Sequence, residues 1–394
     1  MWKRFATTLR CPLCRGEVEL EAFVETHEAA PSSGVATRAQ SESAALDLNT
    51  YVEEGQLLCR PCGNRFPIIG GLPIMLPYTT PLHAEFEERW RDRLRESSPN
   101  YRFADREAPP GEDFVRGSFS QEWLEYDYDG VIWELSYKDH EIRFRKEVGP
   151  AAEGTGWFLE VGCGLGLATA VAQSCSQRDC VGMDLSLGVT KAAREFKSNP
   201  FMHFVQASAF APPFAVDQFD VIYSRGVLHH TYSTHKAFES VAPLCKPGGT
   251  FFLWLYGPGS TRSTPLRVAL YAIESVTRPI ISRAPNSIPS KMFLGTMALG
   301  YMVFNWGRRL GNGEIQSLTF RRAMHAARDR FTPRYAHRHP AAEICGWFSS
   351  SGFDSVTVLD WRDMPAADQD DFRRNVGVRA VRAAQTAIAA TTDA

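Results

Sequence analysis

Residues 158–166 read FLEVGCGLG, an apolar run that breaks into three closely spaced glycines, and LATAVAQSC follows. The pattern predicts a strand, a tight turn and a helix. Glycine has no Cβ, so such a turn bends sharply and lets a ligand lie against the backbone. Glycines at this spacing also occur in turns that bind nothing, so the neighbouring residues decide the reading. Glu160 ends the strand just before Gly162. A carboxylate there opposes a bound pyrophosphate and favours a cationic or amine-bearing ligand. A dinucleotide site expects G-x-G-x-x-G, whereas residue 167 is Leu and the third glycine, Gly166, comes one position early.

Working outward, CVGMDLS places Asp184 at the end of a second apolar run. A carboxylate at that strand end can accept both hydroxyls of a ribose. Apolar runs at 157–161, 180–183, 203–206, 219–223 and 250–255 alternate with helical stretches. That rhythm predicts βαβ units and a mostly parallel sheet. It breaks at 260–340 and returns at AAEICGWFSSSGFDSVTVLDW, which makes 260–340 an insertion.

As an ordered set, EVGCGLG, GMDLS, PFAVDQFDVIYSRGVLHH and LCKPGGTFFL resemble the class I S-adenosylmethionine-dependent methyltransferases. The resemblance covers about residues 156–256, with WFSSSGFDSVTVLD as the expected final helix–strand pair. It implies a Rossmann-like α/β fold with a seven-stranded sheet, its last strand antiparallel and helices on both faces. It implies that Glu160, Gly162, Gly164 and Gly166 surround the methionine part of the cofactor. Asp184 would bind the ribose hydroxyls and Leu185 would flank the adenine, with Ser208, Ala209 and Arg225 as further cofactor contacts. The family often holds the adenine amine with an acidic residue where this chain has Ser208, and a hydroxyl or a backbone carbonyl could replace it.

Methyl transfer is an in-line displacement at an activated sulfonium carbon, so orientation and water exclusion do most of the work. A base helps where the acceptor is a hydroxyl or an acidic carbon, and His suits that task. His230 and His229 follow the fourth run, and Tyr256 follows the fifth. These three are the catalytic candidates, although the family's LHH histidine is often structural. Trp123, Tyr126 and Tyr128 lie in an aromatic stretch that related enzymes use to cover the cofactor. Arg334, Tyr335 and His337 in FTPRYAHRH resemble a TPRY segment of sugar and natural-product methyltransferases, and are candidates for contact with the acceptor.

CPLC at 11–14 and CRPC at 59–62 add a second theme. Two C-x-x-C turns supply four thiolates, which fits a closed structural Zn²⁺ site formed by Cys11, Cys14, Cys59 and Cys62. The small polar stretch between them reads as an inserted loop whose closure costs only a logarithmic entropy. CRPCGNRFPIIGGLPIMLP resembles the zinc-ribbon activator of tRNA and protein methyltransferases, here fused to its enzyme. It also resembles the zinc-binding front of ribosomal-RNA guanine methyltransferases.

The chain has 394 residues, enough for two or three domains, with a net charge of −2 that supplies no global basic field for nucleic acid. No long apolar run follows the basic residues at the start, and paired thiols suit a reducing compartment, so a cytoplasmic protein is expected. The expected units are a zinc ribbon with its loop at 1–78, a helical, cofactor-covering segment at 79–150, a methyltransferase domain at 151–366 and a C-terminal helix and tail at 367–394. Within the insertion, 292–306 is apolar but shorter than a membrane span of about 20 residues. Its composition predicts a buried helix, with an oligomer contact, as in a homodimer, or a floor for a greasy acceptor as alternatives. The functional expectation is methylation of a small or lipid-linked metabolite in biosynthesis. The alternative is RNA methylation with the ribbon docking on nucleic acid, and a third reading is a non-catalytic binder.

Overall fold

A computed structural model describes residues 1–27, 47–125, 136–258, 265–311, 318–366 and 368–384. Its centre is a seven-stranded sheet. The strands are β6 (Thr155–Val161), β7 (Gln177–Asp184), β8 (Met202–Gln206), β9 (Phe219–Arg225), β10 (Cys245–Leu255), β11 (Phe353–Val358) and β12 (Val376–Arg382). Their order is β11-β12-β10-β9-β6-β7-β8. β8, β7, β6, β9 and β10 run parallel, and β12 lies antiparallel between β10 and β11. The strand order reverses at β6 and β9, and in open α/β sheets the crevice beyond that switch point is where ligands bind.

The five runs expected as strands are strands. The seventh strand is not where the sequence pointed. It lies at Val376–Arg382, inside the stretch expected to be a helix and tail, and the sheet therefore extends past residue 366. Gly377 makes room for it, because a Cβ there would lie 2.6 Å from Phe372.

A smaller sheet forms the N-terminal unit. β1 (Glu19–His27), β2 (Thr50–Cys59), β3 (Asn64–Ile69) and β4 (Leu72–Pro73) are antiparallel neighbours, and β5 (Arg102–Phe103) runs parallel to β3. This unit shares a core with the large sheet: Phe5, Leu9 and Leu57 belong to one apolar cluster with Val181, Val205 and Phe214. Phe5 stacks on His203 at 4.6 Å, and Arg4 pairs with Asp179. Ile74 bridges to Gln206, so the unit covers the β8 edge that would otherwise expose unpaired backbone groups.

Helices α1 (Pro81–Ser97), α2 (Glu112–Glu125) and α3 (Tyr137–Val148) precede the large sheet, and α4 (Leu167–Cys175), α5 (Gly188–Glu195) and α6 (Thr234–Val241) connect its strands. The insertion supplies α7 (Pro265–Ile281), α8 (Ile288–Gly311) and α9 (Phe320–Phe331), followed by α10 (Ala341–Ser350) and α11 (Gln369–Arg374). Ile281, Leu294, Ala327 and Phe331 tie α7 and α8 to α9 in a satellite core. The apolar run at 292–306 does not lie in the interior. Of α8, only Ser290, Leu294 and Ala298 are buried, because α8 meets its neighbours along one narrow face.

Candidate functional site

The carboxyl ends of β6, β7 and β9 open into a cavity of about 850 Å³, within the range of small-molecule sites. Gly162 and Gly164 line it in the left-handed region, at φ 82° and 53°. A Cβ at Gly162 would strike Val227, so only glycine fits there. The Gly164 N–H donates to Asp184 Oδ2 at 2.7 Å, and the Ser186 N–H donates to Oδ1 at 2.7 Å. The loop and the second strand end are thus locked together. Glu160 also lines the cavity, accepts the Thr169 hydroxyl at 2.5 Å and is pushed up to about 8 by burial. Leu185 and Ala209 reach the cavity wall. Gly166 caps α4 without lining the cavity.

Arg225 lies on the wall with its charge already engaged. It donates to Glu147 at 3.0 Å and Asp371 at 2.7 Å, and lies over the Trp254 ring. Ser208 stands behind the wall, and its hydroxyl donates to Glu112 Oε2 at 3.0 Å. Glu112 itself lines the cavity, accepts the Tyr78 hydroxyl at 2.7 Å and is raised by burial to about 7. Trp123 covers the glycine loop, with its ring 3.1 Å from where a Gly164 Cβ would stand. Tyr126 and Tyr128 lie outside the described residues.

His230 lines the cavity. Its Nδ1 lies 2.8 Å from the Tyr335 carbonyl. A carbonyl can only accept, so Nδ1 carries the proton and Nε2 keeps its lone pair. Burial drives the ring's pKa down to about 3, so it is neutral near pH 7. His229 is different. It is fully buried off the cavity wall and stacks on Tyr256 at 3.9 Å, which makes it a packing residue. Tyr256 lines the cavity and donates to Asp329 Oδ2 at 3.3 Å. Burial, and then the Glu122 charge, raises the Asp329 carboxyl. Glu122 is buried on the same wall and pairs with His325 Nε2 at 2.9 Å.

Arg334, Tyr335 and His337 do not reach the cavity wall. Arg334 lies over the Phe114 ring, the Tyr335 hydroxyl donates to the Pro110 carbonyl, and the His337 N–H donates to the His229 carbonyl. They brace the histidine loop from behind. Sequence reasoning missed Glu112, Glu122 and Asp329. All three lie outside the ordered motifs, and no spacing in the chain marks them.

Outside the cavity lining, the Sγ atoms of Cys11, Cys14, Cys59 and Cys62 all lie within 4.8 Å of one another. Cys11 and Cys62 are 3.6 Å apart, and Cys14 and Cys59 are 3.4 Å apart. A tetrahedral Zn²⁺ with about 2.3 Å bonds needs sulfurs about 3.8 Å apart, so the set fits with a small outward adjustment. The Asn64 amide donates to Cys62 Sγ at 3.1 Å and orients that sulfur.

Residues 159–253 match the methyltransferase domain family, and residues 3–71 match the Trm112p-like protein family. The chain joins a Trm112p-like domain to a methyltransferase domain. A stretch of 98 residues is 35% identical to the uncharacterized methyltransferase YcgJ of Bacillus subtilis (strain 168). That alignment spans 24% of this chain and 38% of the relative's length. The crystal structure of YcgJ covers 63% of this chain and 99% of its own, at 15% identity and a TM-score of 0.37. A Haemonchus contortus phosphoethanolamine N-methyltransferase 2 structure covers 70% of this chain and 61% of its own, at 15% identity and a TM-score of 0.43.

Proposed function

We propose that this chain transfers a methyl group from S-adenosylmethionine to a small or lipid-linked metabolite. One observation carries the reading. A single cavity brings the Gly162–Gly164 loop and Asp184 together with Glu122, His230, Tyr256 and Asp329. The first group has the chemistry to hold a nucleoside with an attached amine. The second lines a polar pocket for an acceptor.

S-adenosylmethionine, when bound, supplies an electrophilic methyl group on a sulfonium. Asp184 would take the ribose hydroxyls and Glu160 the methionine ammonium. Glu112 would take the adenine amine, in place of the acid that Ser208 lacks. Trp123 excludes water from the glycine loop and offers a π-face to the sulfonium. Nε2 of His230 keeps its lone pair, since Nδ1 donates to the Tyr335 carbonyl, and would accept a hydrogen bond from the acceptor, whose proton would pass to Asp329, a carboxyl that burial raises. Glu122 and Asp329 orient hydroxyl or amine groups of the acceptor. The four thiolates would hold a structural Zn²⁺ that ties the 11–14 turn to the 59–62 turn.

A second reading, RNA methylation, draws on the Trm112p-like match. The test is transfer of labelled methyl groups from S-adenosylmethionine to separated small-molecule, lipid and RNA fractions. Label in the small-molecule or lipid fraction is expected. Label in RNA alone replaces this reading with the second.

A further inference from the structure

Helix α7 is built inside out. Its buried face carries Glu274, which binds Arg278 at 2.5 Å, Arg338 at 2.7 Å and Arg330 at 2.9 Å. Its exposed face carries Val268, Ile273, Val276 and Ile280. Helix α8 repeats the theme. Ile288, Met292, Leu299, Val303, Trp306 and Leu310 recur at helical spacing along one stripe, and all are exposed. Ile288 is 75% exposed and Trp306 is 62% exposed. Isolated exposed apolar residues are ordinary, but six recurring along one side of α8, with a second exposed set on α7, which shares its satellite core, mark an interaction surface.

Charge selects the partner. Residues 265–311 contain six basic residues and one acid, Glu274, which is buried and already paired. Arg283, Lys291, Arg308 and Arg309 are exposed, and no acidic side chain pairs with them among the described residues. A second copy of the chain would bring the same cations to a shared symmetric face, where like charges oppose. An anionic bilayer satisfies both demands. Its headgroups take the cations, and its acyl boundary takes the Val, Leu and Trp stripe. No helix among the described residues is long and apolar enough to cross a membrane, and lying in the interface does not require one.

We propose that the outward faces of α7 and α8 dock on an anionic membrane surface. Asn305 and Arg308, on the other side of α8 from this stripe, line the cavity, so docking would place α8 between the cavity and the lipid. The proposal does not depend on which compound accepts the methyl group.

The test is flotation of the full-length protein with vesicles of phosphatidylcholine alone or of equal parts phosphatidylcholine and phosphatidylglycerol. Co-flotation with the anionic vesicles only is expected. Val303→Asp and Leu310→Asp should abolish it, while Lys291→Gln and Arg309→Gln should each weaken it about fivefold. All four side chains are exposed, so circular dichroism and thermal melting should match the wild type. Equal flotation with both vesicles, or with neither, overturns the proposal. A concentration-dependent dimer in ultracentrifugation that Val303→Asp dissociates, without vesicle binding, assigns the face to a second copy and also overturns it.

Discussion

Ser208 donates its hydroxyl to Glu112 at 3.0 Å, across a separation of 96 residues. On the proposed function, Glu112 in the N-terminal turn of α2 would stand in for the acid that such methyltransferases often carry beside the adenine. Glu112→Ala should weaken S-adenosylmethionine binding about tenfold, the loss of one hydrogen bond to a charged group. Glu112→Gln keeps an acceptor oxygen and should lose less. Titration calorimetry on both variants checks this. Equal affinity for wild type and Glu112→Ala would remove Glu112 from the cofactor site.

Glu160 gives the site a proton linkage. Burial raises its pKa to about 8, so in the empty site it is mostly protonated at pH 7. A bound ammonium favours the carboxylate and drives that proton off. Affinity should therefore rise by up to tenfold per pH unit as pH climbs toward 8, and level off above it. Calorimetry at pH 7 in two buffers of different ionisation heat should report close to one proton released. Proton uptake, or pH-independent binding from pH 6 to 8, would sink the assignment of Glu160.

The Trm112p-like domain and the methyltransferase domain share a core, with Phe5 stacked on His203 and Ile74 bridged to Gln206. Metal removal should therefore lower the stability of the whole chain, not just its N-terminal unit. Scanning calorimetry after dialysis against a zinc chelator should show one cooperative transition at lower temperature. Cys59→Ser should reproduce the shift without chelator. Metal analysis should find about one zinc per chain in untreated protein. Two separate transitions, with the sheet domain's unchanged, would contradict the shared core.

The methyltransferase sheet was legible because its strands are buried on both faces. Phe158, Leu159 and Val161 form a near-continuous apolar run, and Gly162 marks its end. The seventh strand was not, because Arg379 and Arg382 interrupt Val378, Ala380 and Val381 just before an alanine-rich tail of helical composition. The placement of α8 was hidden for another reason. Its apolar residues look like core, and only the burial of Leu294 and Ala298, with Leu294 packed in a cluster with Ala327 and Phe331 of α9, reveals which face is inside. Half of the site was legible through ordered motifs. Glu122 and Asp329 were not, since two carboxylates far apart in sequence meet only through the packing of α2 and α9.

The central claim is that the cavity beyond β6 and β7 holds S-adenosylmethionine through Asp184. The direct measurement is calorimetric titration of the full chain and its Asp184→Ala variant with that cofactor. One site per chain is expected in the wild type, with affinity lowered about tenfold or more in the variant. Absence of binding in the wild type, or equal affinity in the two proteins, would contradict the account.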